Sequence, residues 1–270
     1  MLRLSPAKHF SKVGKAETLL MGINFLLLFS TAMIAGLLVF LFPSFREKYF
    51  KLLLVFAGSY LFSITILHII PELFDSGYSS TRMGLYILIG FLFQQILEFW
   101  SSGIEHGHIH KHESGTSKGV WTLMLGLFIH AFLEGTLLSH GSAMVEETLI
   151  SGQSHSDKTV LLGIIMHKGP AAFALAAVLS ASLSKKWTVI LLTIFALASP
   201  AGMFSSAFFI NQGLLSKEGI GLLYGLVTGG FLHISTTIFF ESSPHHKFQM
   251  NKLLVTFLAA GLAIASEYLM

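Results

Sequence analysis

Eight apolar runs, at about 23–42, 51–72, 84–103, 119–140, 159–182, 187–209, 218–241 and 251–269, divide this chain. Each is close to the roughly 20 residues that a helix needs to cross a bilayer. In hydrocarbon every backbone N–H and C=O must be paired within the chain, which leaves helices or a closed barrel as the spanning structures. Runs of this length select the helix. The expected fold class is therefore all-α, a polytopic membrane protein with eight transmembrane helices in a single transmembrane domain covering residues 1–270.

Composition points the same way. Hydrophobic residues make up 53% of the 270 and charged residues 11%, and mean hydropathy is +0.71, far from the values of a soluble domain. Basic residues are scattered through short connections rather than gathered on one face, so the pI near 9.0 argues for membrane orientation and against nucleic-acid binding. Cys is absent, which excludes thiolate chemistry and leaves imidazole, carboxylate or backbone oxygen to hold any metal. The basic, then apolar, first forty residues have the outline of a signal peptide, but the run from Ile23 to Phe42 has the length of a retained first helix.

Breaks between the runs are conventional: Pro43 after the first, Asp75-Ser76-Gly77 after the second, Lys185-Lys186 between the fifth and sixth. Loops after odd-numbered helices carry Arg46, Lys48, Lys51, Lys111, Lys118, Lys185, Lys186, Lys247 and Lys252, whereas those after even-numbered helices carry Arg82, Lys158 and Lys217. The positive-inside rule then places the odd loops in the cytoplasm and both termini outside, in the plasma (cytoplasmic) membrane. Arg3, Lys8, Lys12 and Lys15 in the N-terminal tail oppose that placement.

Ionisable side chains inside the spans carry the functional signal, because a charge at bilayer depth costs about 2.5–3.5 kcal/mol and needs a partner. His130 and Glu134 lie four residues apart, so on a helix they share a face and offer a nitrogen and an oxygen to one cation. With a rise of about 1.5 Å per residue, His130 falls about 16 Å into its helix and His167 about 12 Å into the next, both near the midplane. One such histidine alone reads as a hydrogen-bonded contact between helices. As a set, His68, His130, His167 and His233 with Glu72, Glu134 and Glu241 read as a polar pathway. Lys168 is the anomaly, a cation beside His167 that could snorkel, pair with Glu134 or fill the place of a second ion. Pro170 and Pro200 each free a backbone carbonyl a turn earlier, near Met166 and Ala196, as further oxygen ligands.

A loop tract, Glu105-His106-Gly107-His108-Ile109-His110-Lys111-His112-Glu113, has the alternating imidazoles of a metal chelator, on the expected cytoplasmic side. His245 and His246 are a weaker echo of it. Gly225, Gly229 and Gly230 permit close helix packing, either within the chain or, in a homodimer, between chains.

These residues resemble the ZIP family of divalent metal transporters, and the resemblance extends over nearly the whole chain. His130-Ala-Phe-Leu-Glu134-Gly is similar to that family's helix 4 motif, and His167-Lys168-Gly169-Pro170 to helix 5 of the subgroup with Lys after the His. His68-Ile-Ile-Pro-Glu72 is similar to its helix 2 signature, and Ser199-Pro200-Ala201-Gly202 and Gly230-Phe231-Leu232 to helices 6 and 7. The resemblance implies zinc uptake, with tolerance for Fe2+, Mn2+ or Cd2+, through a site between helices 4 and 5 and by movement of a helix bundle against a scaffold. It implies a main metal site of His130, Glu134 and His167, with Ser199 in the helix 6 motif beside it, and polar positions along the route at His68, Glu72 and Glu241. Ala131, Lys168 and Ala171 stand where two-metal members carry further ligands, which implies one ion. His233 stands in place of an aromatic.

The expected partners are the divalent ion and the lipid bilayer; Zn2+ is substrate, and no catalytic cofactor is expected. Two rival readings are an intramembrane zinc hydrolase, with Glu134 as base and Ser199 as oxyanion partner, and a metal exporter of unrelated fold. Lys168 and the chelating loop have no evident use in the hydrolase.

Overall fold

The computed structural model describes residues 6–42, 47–75, 79–101, 117–139, 156–241 and 250–269. These form eight helical segments, and no strand occurs among the described residues. Helix α1 spans Pro6–Leu37 and runs on through a 3₁₀ turn, Leu38–Phe40. Helix α2 runs Glu47–Ile64, widens into a π-helical turn at Thr65–Ile69 and resumes as Ile70–Asp75. Then come α3 (Ser80–Ser101), α4 (Ser117–Thr136), α5 (Ser156–Ser182), α6 (Lys185–Asn211), α7 (Lys217–Glu241) and α8 (Met250–Leu269). Seven are long and apolar enough to cross a membrane, whereas α4 has a shorter apolar stretch, Val120–Thr136. A 3₁₀ turn, Leu137–Ser139, continues α4 to the end of its apolar run.

Proline acts differently at three places within the spans. Pro71 has no N–H to give and its ring crowds the preceding turn, and there α2 passes through the π turn, with Ile70 N–H donating to Thr65 O. Pro170 and Pro200 lie inside α5 and α6, which stay α-helical throughout. The π turn before Pro71 contains His68. Gly213, at φ 66°, ends α6 in a left-handed turn that a side chain would disfavour.

Helix α3 packs on α7, α4 on α6, α1 on α5 and α6, and α2 on α8, α5 and α7. Lipid offers no hydrophobic drive between helices, so close van der Waals approach matters, and glycine supplies it. A Cβ on Gly135 would overlap the Ser199 carbonyl of α6, and one on Gly202 would overlap the Phe132 carbonyl of α4. On the other pair, a Cβ at Gly90 or Gly229 would strike the facing backbone, and Gly225 lies against Tyr86. The helix 7 glycines thus serve packing within the chain.

More than half of the apolar windows of α2, α5, α6 and α7 is buried, and less than a quarter of those of α1, α3 and α8. Two apolar clusters fill the interior. One gathers Val39, Leu54, Leu123, Leu127, Leu175, Leu192, Phe195 and Ile234; the other gathers Leu28, Ile64, Leu137, Ile164, Met203 and Phe231. Along α4 and α6, and in reverse along α5 and α7, the chain passes from one cluster to the other at Glu134, Ser199, His167 and His233. These four side chains therefore lie in a layer between two apolar plugs.

Candidate metal centre

His130 and Glu134 project from successive turns of α4, with His130 Nε2 2.9 Å from Glu134 Oε1. His167 comes from α5, its ring edge-on to that of His130 at 5.9 Å between centroids. One ligand atom from each of the three lies within 4.8 Å of the others, and all three residues are buried. Among the described residues this is the one group of three or more His, Asp or Glu so arranged. Two imidazoles and a carboxylate in a buried site suit a borderline divalent cation, Zn2+ foremost, and leave a coordination position open.

Lys168, the next residue on α5, does not snorkel. It is 1% exposed, donates to Ser199 Oγ at 2.6 Å, lies 4.6 Å from the Phe195 ring centroid and is within electrostatic reach of Glu134. Ser199 Oγ in turn donates to Ala131 O at 2.7 Å. The hydroxyl expected near the ion is thus tied to an ammonium and to the Ala131 carbonyl of α4.

From α3, Gln94 brings its amide to His130 Nδ1, 3.1 Å from Oε1. Two further polar groups stand apart from the triad. His68 Nδ1 is 3.0 Å from Glu267 Oε1 of α8 and its Nε2 3.5 Å from Glu72 Oε2, while Tyr224 of α7 reaches Glu72 at 3.4 Å. This group is half-buried: His68 is 15% exposed, Glu72 28% and Glu267 27% in their side chains. Beyond His167, Gly163 of α5 packs against Ile64 of α2, and His68 follows one turn on, about two helical turns from the triad. The second group pairs His233 of α7 with Glu98 of α3, with the His233 ring edge-on to Phe91 at 4.8 Å.

The histidines of four spans therefore fall into three groups rather than one. Glu98, Glu267 and Gln94 escaped the sequence reading. Glu98 and Glu267 lie within two of the apolar runs, so the cost of an intramembrane charge that singled out Glu134 flags them equally; Gln94, uncharged, carries no such signal. Glu241 closes α7 and its side chain lies outside the described residues, as do His106, His108, His110, His112, His245 and His246.

Residues 102–266 match the family described as ZIP Zinc transporter. The match begins after α3, so the His68–Glu72 motif lies outside it. The chain is 28% identical over 167 residues to Zinc transporter ZIP9 of Micropogonias undulatus, covering 57% of this chain and 49% of that protein. It is 26% identical over 163 residues to Zinc transporter ZIP9-B of Xenopus laevis and to Zinc transporter ZIP9 of Xenopus tropicalis, covering 57% of this chain and 50% of each. The chain spans about half the length of the curated relatives it matches.

Proposed function

Because the chain belongs to the ZIP zinc transporter family, we propose that it carries divalent metal ions across the membrane, with Zn2+ as the main substrate, into the cytoplasm. The observation that supports this most is the convergence of His130, Glu134 and His167 in a buried layer between two apolar plugs. An ion there is held by one carboxylate and two neutral imidazoles, and the plugs bar free flow past it. Ser199 serves the site by anchoring Lys168, whose charge leaves room for one ion. Membership in a family of transporters leaves the hydrolase without support.

Passage through two closed plugs requires alternating exposure. One division compatible with the packing takes α4 with α6 and α1 with α5 and α6 as one group, and α3 with α7 and α2 with α8 as the other, with α2 on α5 and α3 on α4 across the divide. Elevator-like sliding of the first against the second exposes the triad to each side in turn. His68, Glu72 and Glu267, toward the side of the even-numbered loops, form the entrance. Glu241, at the opposite end of α7, and the loop histidines receive the ion. The proposed setting is the plasma membrane with both termini outside, and a homodimer is compatible with it.

Radiotracer uptake into proteoliposomes tests this reading. Saturable 65Zn uptake, competed by Cd2+ and weakened by acid because the ligands must shed protons to bind metal, is the expected result. Absence of metal flux from well-folded, reconstituted protein sinks it, and flux in the outward direction alone sinks the uptake half.

A further inference from the structure

The Gln94 contact carries an inference beyond the ligand set, resting on the triad as the metal site. We infer that Gln94 is a positioning residue that holds His130 in the tautomer able to bind the ion. A neutral imidazole carries one proton on two nitrogens, and only the bare one can ligate. His130 Nε2 faces Glu134 Oε1 at 2.9 Å, inside the triad. With an ion held at Nε2 the single proton sits on Nδ1, and there Gln94 Oε1 lies at 3.1 Å to accept it. Metal-bound histidines generally have such an acceptor on the far nitrogen, which fixes the ring and raises its basicity.

The residue type fits the task. Gln94 is 3% exposed, so its amide is held where water does not compete. A carboxylate would accept the same proton but would add a second negative charge beside Glu134, binding the ion harder and releasing it more slowly. An amide provides the oxygen without the charge. It also comes from α3, which packs on α7, while the ligand belongs to α4; relative motion of the two helices would remove the acceptor from His130. Gln94 thus links the grip on the ion to the position of the ligand-bearing helix.

The test uses full-length purified protein with zinc alone as the probe, measuring zinc affinity in detergent and uptake kinetics in proteoliposomes. Gln94→Met, close in volume, should weaken zinc binding about 10- to 100-fold, raising KM with little change in maximal rate. Gln94→Glu should restore or tighten binding and lower the maximal rate. Wild-type affinity in Gln94→Met overturns the inference, as does a Gln94→Glu variant as weak as Gln94→Met, which marks a merely structural role. His130→Ala separates the two levels. If it too binds and carries zinc normally, the triad fails as the site; if it alone loses zinc, the triad stands and only the role of Gln94 falls.

Discussion

The two His–Glu clusters on the α4–α5 and α2–α8 helices share their chemistry and differ in burial. In the deep triad, His130 and Glu134 side chains are 6% and 2% exposed; in the shallow group, His68 and Glu267 are 15% and 27% exposed. Water and lipid headgroups can solvate the shallow charges, so an ion pair there is worth roughly 0–1 kcal/mol. Deep in the bundle no such solvation exists, and every charge must be met by a protein group or a passing ion. Under the proposed function, identical residue types act as a grip at one level and as a funnel at the other.

The largest effect that can break this contrast is on uptake. His130→Ala or Glu134→Ala should abolish saturable zinc uptake in proteoliposomes, whereas His68→Ala or Glu267→Gln should raise KM by less than about fivefold, the equivalent of about 1 kcal/mol. Equal losses at both levels would erase the distinction.

A smaller effect sharpens it through stability. Lys168→Met removes a buried ammonium that Ser199 and the Phe195 ring hold near Glu134, leaving the Glu134 charge less compensated. The zinc-free variant should lose about 1.5–3 kcal/mol, the worth of a hydrogen bond to a charged group, and added zinc should narrow the gap. Thermal denaturation with and without zinc reads both; a variant as stable as wild type without zinc would refute the compensation.

The smallest concerns packing rather than charge. Gly202→Ala pushes a methyl into the Phe132 carbonyl beneath the triad and should cost about 1–3 kcal/mol as overpacking does. Gly84→Ala on α3, where a Cβ meets nothing within 4 Å, should be neutral or slightly stabilising. Comparison of their thermal midpoints checks the pair, and a neutral Gly202→Ala would show that α4 and α6 can separate at little cost.

The difference in depth also marks what could be read from residues alone. Hydrocarbon forbids unpaired backbone, so eight apolar runs of bilayer length determine eight helices, and helical periodicity joins His130 to Glu134 without any tertiary information. The same arithmetic joins His68 to Glu72. Which helices meet is not local. That α3 would set Gln94 against His130 and Glu98 against His233, that α8 would bring Glu267 to His68, and that Lys168 would turn to Ser199 depend on crossings fixed by contacts such as Gly135 with Ser199 and Gly229 with Ile87. Those approaches rest on backbone-to-backbone van der Waals fit, which acts between residues far apart in the chain and leaves no period in the sequence.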